Sequence, residues 1–180
     1  MTKTTVLNPA TRSRALVSIL FLAVCSLHAG VAKAQVKYPV QHFACDSGYT
    51  QQQCGISMQV VKNALARYPV RALGDWTWVL VRPEDWKRFL LDRGFDPNPP
   101  AFSYLPKRET FLDGSLVVKV SIRGFELREQ WHMPIEDLLD LAIRHEIAHA
   151  LCNDRDEIKA GLAASALKNG SVPSCRIPLR

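Results

Sequence analysis

The fold is decided by one stretch of the chain, Arg144-His145-Glu146-Ile147-Ala148-His149-Ala150. Residues four apart lie on the same face of an α-helix, about one turn from each other. On a helix, His145 and His149 can therefore direct their imidazole rings at a single point. Glu146 follows the first histidine and can reach a water molecule held at that point. The stretch predicts a helix that carries a metal-binding pair of histidines beside a carboxylate.

Apolar residues flank the two histidines on both sides, and they are Leu138, Leu139, Ala142, Ile143, Ile147, Ala148 and Leu151. Polar side chains in such surroundings need partners or a solvated cleft, because a buried polar group without a partner costs several kcal/mol. Zinc is a suitable partner, since it binds neutral imidazole nitrogen and is usually held by three or four protein ligands. We therefore predict a zinc site and not two polar residues on an exposed helix face.

The pattern His145-Glu146-x-x-His149 resembles the active-site helix of the HExxH zinc metallopeptidases, the zincins. The resemblance implies that His145 and His149 bind Zn²⁺ and that Glu146 acts as the general base that takes a proton from water. It also implies a peptide or protein substrate. In zincins a β-sheet lies over the active-site helix, and its edge strand pairs with extended substrate. The resemblance is confined to this helix and the segment that follows it.

A catalytic zinc site needs a third protein ligand and an open position for water. The metzincin pattern is absent, because Cys152 and Arg155 stand where glycine and histidine are required. Glu157 is the last acidic residue of the chain, so few candidates remain downstream. If the chain turns at Asn153, a second helix can fold back and present Glu157 to the metal in a compact, gluzincin-like arrangement. The other candidates for the third ligand are Asp154, Asp156, His42 and His132.

Two alternative roles for these residues stay open in the sequence. The segment from Asp154 to Glu157 also has the pattern of a helix capping box, with Asp154 as N-cap and Glu157 at the third helical position. Cys152 lies three residues after His149 on the same helix face, so a role as zinc ligand is also conceivable. The pattern of the two histidines does not decide between these readings.

Residues 1–34 have the features of a secretory signal peptide. Lys3, Arg12 and Arg14 give the start a positive charge without any acid, and residues 15–27 form a mostly apolar run that is too short to span a membrane. Ala32-Lys33-Ala34 fits the rule of small residues before a cleavage site. We therefore predict that the mature chain begins at Gln35 and is periplasmic or secreted.

A lipoprotein signal ending at Cys25 is the alternative, although Val24 stands where such signals usually have a small residue. Cleavage after Ala34 removes four cations and no acid from a chain with 23 Lys and Arg and 17 Asp and Glu, which leaves 19 cations against 17 acids. A net charge near +2 gives no electrostatic footprint for nucleic acid, so we predict no nucleic-acid partner. The mature sequence also contains no hydrophobic run that predicts a membrane span.

Removal of the signal leaves four of the five cysteines, and they are Cys45, Cys54, Cys152 and Cys175. An even number of cysteines in an exported chain predicts disulfide bonds. Three pairings are possible, and proximity in the sequence favours Cys45 with Cys54 and Cys152 with Cys175. The oligomeric state has no signal in the sequence.

Periodicity and turn signals predict the remaining elements. Helices are predicted at residues 55–68, 83–94, 134–152 and 156–168, and strands at 76–81, 101–105, 109–112 and 115–122. Irregular segments are predicted at 35–53, 96–100 and 123–132. The proline-rich run at 96–100 is predicted to be a rigid connector, with the border of a cleft as the alternative, and the connection at 123–132 is long enough to line a cleft.

These elements predict one α+β domain over residues 35–180, of zincin-like type. A small mixed β-sheet packs on the helix from Pro134 to Cys152, and a closing C-terminal helix follows. The predicted function is that of an exported zinc metallopeptidase. The alternative is a non-catalytic exported or cell-envelope interaction protein, in which the metal serves folding.

Overall fold

The computed structural model describes residues 39–118, 120–171 and 173–175. Within these residues the chain is α+β, with four strands and five α-helices. The strands are β1 Gln41–Cys45, β2 Trp76–Val81, β3 Ala101–Tyr104 and β4 Glu109–Asp113. The helices are α1 Gln51–Leu65, α2 Trp86–Leu91, α3 Ile122–Trp131, α4 Ile135–Cys152 and α5 Glu157–Lys168. The predicted signal peptide and its cleavage site lie outside the described residues.

The four strands form one mixed sheet in the order β1-β2-β4-β3. Strands β1, β2 and β4 are parallel, whereas β3 runs antiparallel to β4, with Ala101 opposite Leu112. This arrangement confirms the predicted small mixed sheet. It also places β3 at one edge of the sheet, where only one side of its backbone is paired with another described strand.

Strand β2 is largely buried on both faces, which explains why Thr77 is the one polar residue in its sequence. Successive side chains of a strand point to opposite faces. Trp78 and Leu80 belong to the main core, together with apolar residues of α1, α4 and α5. Val81, on the other face, packs with Trp86 and Leu90 of α2 in a second, smaller cluster.

Helix α4 agrees with the predicted helix from Pro134 to Cys152. Pro134 precedes its first turn, and Glu136 and Asp137 follow there, where acids are favourable near the positive end of the helix dipole. The helix ends at Asn153, which has the left-handed conformation at a φ of 46°. Its buried apolar residues, Leu138, Leu139, Ala142, Ile143, Ile147 and Ala148, belong to the main core.

Two sequence predictions for the start of the domain need correction. Residues 41–45 are not irregular but form β1, which pairs with β2 along its whole length. Alternate residues of β1 are exposed because one face of the strand is turned to solvent, but its sequence does not alternate between polar and apolar residues, so the strand has no period-2 signal. Helix α1 begins at Gln51 and not at Gly55, because Thr50 and Gln53 form a capping box there.

The predicted strand at 115–122 and the predicted connection at 123–132 are also wrong. The chain leaves the sheet at Asp113, whose side chain accepts a hydrogen bond from the Ser115 amide and so starts a 3₁₀ turn at Gly114–Leu116. Ser121 then caps α3 by accepting from the Gly124 amide. Local side-chain hydrogen bonds therefore outweigh the strand preference of the valine-rich run.

The disulfide pairing expected from sequence proximity is confirmed. Cys45 at the end of β1 is bonded to Cys54 in the first turn of α1, with the two Cα atoms 5.9 Å apart. Cys152, the last residue of α4, is bonded to Cys175, which ties the end of the described chain to that helix. Among the described residues, no helix has both the length and the apolar character needed to cross a membrane.

A buried ion pair holds α3 against the sheet. Arg123 Nε donates to Asp113 Oδ2 at 3.1 Å, and their side chains are 7% and 0% exposed. Arg123 Nη2 also donates to the Asn98 carbonyl at 2.8 Å. One guanidinium therefore connects the end of β4, helix α3 and the proline-rich loop at 96–100. Burial raises the pKa of Asp113, while Ser115 and Arg123 oppose that shift, so the carboxylate depends on these two partners to remain charged.

We expect the replacement Arg123→Met to lower the free energy of unfolding by about 3–5 kcal/mol, because it leaves the buried Asp113 carboxylate without its cation. The matched control is Lys87→Met, which removes an ion pair with Glu126 whose side chains are 51% and 44% exposed. That control should cost no more than about 1 kcal/mol. Urea unfolding of both variants measures the difference, and equal losses would contradict the assigned role of Arg123.

Candidate metal centre

Three ligand-type side chains meet at the junction of α4 and α5. His145 Nε2 lies 2.9 Å from Glu157 Oε2 and 3.1 Å from His149 Nε2. His149 Nε2 lies 3.4 Å from the other carboxylate oxygen of Glu157. One ligand atom from each of the three residues falls within 4.8 Å of the others, which is a spacing that a single metal ion can bridge.

The turn between the two helices brings Glu157 to the histidines. Asn153 adopts the left-handed conformation there and its amide donates to the His149 carbonyl, and the Asp154 amide donates to that carbonyl as well, at 3.2 Å. The chain thereby reverses within a few residues, and α5 packs back against α4. The turn that the sequence analysis required at Asn153 is present in the structure.

Asp156 caps α5, which corrects the capping box considered from the sequence. Its carboxylate accepts from the amides of Ile158 and Lys159, so Asp156 is the N-cap and Glu157 the first helical residue. Asp154 instead binds Lys159 Nζ at 2.6 Å and the Asp156 amide at 3.1 Å. The Glu157 side chain is therefore free of a capping role, and it points to the two histidines.

A hydrogen bond of Nδ1 determines which ring nitrogen of His149 carries the proton. His149 Nδ1 lies 2.7 Å from the Asp154 carbonyl oxygen. A carbonyl can only accept, so Nδ1 carries the hydrogen, and in the neutral ring Nε2 then holds a lone pair directed at His145 and Glu157. Histidines that bind metals are commonly oriented by such a hydrogen bond.

The chemistry of this donor group fits a cation. The His149 lone pair and the Glu157 carboxylate are both acceptors, and neutral His145 can supply only one proton to the group. A divalent cation that accepts imidazole nitrogen and carboxylate oxygen would satisfy all three residues, and zinc has this ligand preference. The Glu157 side chain is 76% exposed and that of His149 only 8%, so the group faces solvent on one side.

The other candidates for a third ligand do not join this group. His42 lies on the exposed side of β1, and His132 ends α3 in the left-handed conformation at a φ of 49°. Asp154 and Asp156 make the capping and ion-pair contacts described above, and Cys152 is held in its disulfide. Within the described ranges, the grouped residues are His145, His149 and Glu157.

Glu146 is the buried carboxylate of the site. Its residue is only 5% exposed, and Oε2 has no hydrogen-bond partner among the described residues. Burial raises the pKa of Glu146, whereas a hydrogen bond from the Ser103 hydroxyl and any positive charge at His149 and His145 lower it; the negative charge of Glu157 raises it further. A carboxylate placed in this way is suited to accepting a proton.

A series of hydrogen bonds links Glu146 to the core of the sheet. Trp76 Nε1 donates to Thr110 Oγ1 at 3.0 Å, and Thr110 Oγ1 lies 2.8 Å from Ser103 Oγ. Since Thr110 accepts from Trp76, its own hydrogen is available to Ser103, and the Ser103 hydrogen is then available to Glu146. Strands β2, β4 and β3 together determine the surroundings of this carboxylate.

The candidate metal centre lines a cavity of about 490 Å³. One wall is mainly apolar and consists of Leu90, Phe95, Pro99, Pro100, Ala101, Phe102, Tyr104, Leu105, Trp131, Leu138, Leu141 and Ala142. The polar and charged lining residues are Asp96, Ser103, His145, Glu146, His149, Arg155 and Glu157. The cavity therefore combines an apolar wall with a compact polar site.

Two segments that the sequence analysis connected with a cleft contribute to this lining. The run at 96–100 was predicted to be a plain connector, with the border of a cleft as the alternative, and Asp96, Pro99 and Pro100 do border the cavity. Trp131 lies in a segment that was predicted to be irregular but is helical. The prolines make the backbone of the 96–100 loop rigid, which suits a cavity wall.

The sequence was compared with models of known protein families and with curated protein sequences, and it matches none of them.

Proposed function

We propose that the chain is an exported zinc-dependent metallopeptidase of zincin-like, gluzincin type, with an unusually short spacing between the active-site helix and the third ligand. The observation that carries this proposal is the meeting of His145, His149 and Glu157 beside the buried Glu146 carboxylate. All four side chains line one cavity. The arrangement brings together the groups that metal-assisted hydrolysis of a peptide bond requires.

Each residue has a defined role in this proposal. His145, His149 and Glu157 would hold the zinc ion, with His149 oriented by the Asp154 carbonyl. When bound, zinc would supply the positive charge that polarises a carbonyl group and acidifies water. Glu146 would accept the proton from the attacking water and then deliver it to the leaving amine. Ser103 would keep the Glu146 carboxylate oriented by its hydrogen bond.

The cavity suits an extended peptide as substrate. Strand β3 lies at the sheet edge and contributes Ala101, Phe102, Ser103 and Tyr104 to the cavity lining. An extended peptide can add to the free side of such a strand through main-chain hydrogen bonds. The apolar wall would then receive nonpolar side chains of the peptide.

The alternative function is that of a non-catalytic exported module with a structural metal. Structural zinc sites are normally closed by four protein ligands. In the part of the chain that the structure describes, three ligand-type residues form the group, and Glu157 is largely exposed. These observations favour a site with an open position, and hence the peptidase.

Replacement of Glu146 by glutamine tests the peptidase directly. We expect Glu146→Gln to retain zinc at near one ion per chain, because the amide is almost isosteric and Glu146 is not a ligand. Cleavage of unfolded casein should fall about 10²–10⁴-fold, since the amide cannot accept the proton. The matched control is Glu136→Gln, an exposed acid in the first turn of the same helix, and it should keep full activity.

Metal content and cleavage together separate the two functions. Wild-type protein without zinc would refute the metal centre, whereas zinc-loaded wild type that cleaves no protein would favour the structural alternative. Cleavage that survives Glu146→Gln would show that another group acts as the base.

Replacement of Glu157 identifies the third ligand. We expect Glu157→Gln to weaken zinc binding more than about a hundredfold, because even residues that only support a ligand matter 10- to 100-fold. Asp156→Asn is the matched control, since asparagine caps a helix as well as aspartate does and should leave zinc bound. Competition with a zinc chelator measures both affinities. The assignment fails if Asp156→Asn loses zinc and Glu157→Gln retains it.

Mass spectrometry of the exported protein tests its processing. We expect a chain that begins at Gln35, with Cys45, Cys54, Cys152 and Cys175 all oxidised. The two disulfides suit an oxidising compartment. An intact Met1 or four free thiols would contradict export with signal cleavage, and a lipid-modified start at Cys25 would identify the lipoprotein form.

A further inference from the structure

Arg155 lies at the cavity, and no described residue binds its guanidinium group. It is exposed and lines the 490 Å³ cavity beside Glu157. It also lines a neighbouring depression of about 470 Å³, together with Leu105, Pro106, Asn153 and Asp154. The guanidinium makes no hydrogen bond or ion pair with any described residue, and the remaining charged side chains of the cavity wall are the acids Asp96, Glu146 and Glu157.

This position is unusual among the arginines of the described chain. Nearly all of them bind a carboxylate, a carbonyl or an aromatic ring through the guanidinium. Arg67 and Arg144 contact Asp140, for example, and Arg128 lies over the Phe125 ring. Arg71 and Arg155 are the two described arginines without such a partner. Arg71 is exposed in the 3₁₀ turn Val70–Leu73, away from the cavity lining.

The backbone that carries Arg155 is held firmly on both sides. Asp154 precedes it and is fixed by His149 through its carbonyl and by Lys159 through its carboxylate. Asp156 follows it and caps α5. The Arg155 backbone is therefore set in place at the same turn that presents Glu157, while its guanidinium stays available to a ligand.

We propose that Arg155 is a substrate-binding residue that takes a carboxylate of the peptide, and this inference rests on the peptidase function proposed above. A guanidinium offers a fork of N–H donors that matches a carboxylate with two parallel hydrogen bonds. The carboxylate can belong to an acidic side chain or to the C-terminus of the peptide. In either case the substrate class is a peptide with a negative group at a fixed distance from the bond that is cleaved.

The residues at the two ends of β3 indicate where the substrate carboxylate would lie. Phe95 packs on Phe102 near the start of β3, with ring centroids 4.2 Å apart. Arg155 instead shares its depression with Leu105, the residue that follows β3. Ser103, which contacts Glu146, lies between these ends. A peptide aligned with β3 therefore places nonpolar side chains towards Phe95 and its carboxylate towards Arg155.

The test uses the tryptic peptides of casein as probe and the zinc-loaded mature chain as enzyme. Arg155→Gln should retain its zinc and its circular dichroism spectrum, because the side chain has no partner in the described fold. We expect its kcat/KM to fall about 10- to 100-fold, as for loss of a hydrogen-bonded charge. Arg71→Gln, the matched control, should cleave like wild type.

Mapping of the cleavage sites by mass spectrometry separates the two sources of the carboxylate. Cuts at a fixed distance from Asp or Glu identify an acidic side chain, and cuts at a fixed distance from the peptide end identify the C-terminus. Either pattern should disappear in Arg155→Gln. An unchanged rate and pattern in that variant, or loss of its zinc, would overturn the inference and leave the peptidase function standing. Wild type that binds zinc but cleaves no peptide would overturn both.

Discussion

The burial of helix α4 is the constraint on which the rest of the structure depends. Its apolar residues fill the space between the sheet and helices α1 and α5, and Leu138, Ile143 and Ile147 are completely enclosed. Burying side chains of this size contributes about 1.5–3 kcal/mol each. A helix enclosed in this way has a fixed rotation about its axis. The face that carries Glu146 and His149 must consequently point to the cavity and β3.

That fixed rotation puts polar groups in a largely apolar environment, and the fold supplies partners for most of their atoms. His149 is satisfied by the Asp154 carbonyl, and Glu146 by Ser103. One carboxylate oxygen of Glu146 is left without a protein partner in the described chain. Such a group is costly in a purely structural helix. Glu146 lies beside His145 and Glu157, which could hold a metal ion, and a role at that site would explain why the fold tolerates this cost.

The sequence was most informative where local signals act alone. Pro134 and Asn153 mark the ends of α4, and the spacing of its histidines is a local property that no tertiary contact needs to supply. The run at 115–122 was misread because the side chains of Asp113 and Ser121 reorganise the backbone there. The position of Arg155 at the cavity could not be predicted from the sequence for another reason. A cavity wall is assembled from distant segments, and periodicity carries no information about it.

The residues of the candidate metal centre lie close together along the chain, whereas the residues around the Glu146 carboxylate come from distant segments. His145 and Glu157 are separated by 12 positions, whereas Trp76 and Thr110, which lead to Ser103 and Glu146, are separated by 34. Closing a short helical hairpin costs less chain entropy than assembling a sheet from distant strands. The candidate metal-binding group is thus a short-range feature of the chain, and the environment of the Glu146 carboxylate is a long-range one. Substitutions in the sheet can therefore change the environment of Glu146 while the α4–α5 hairpin keeps His145, His149 and Glu157 together.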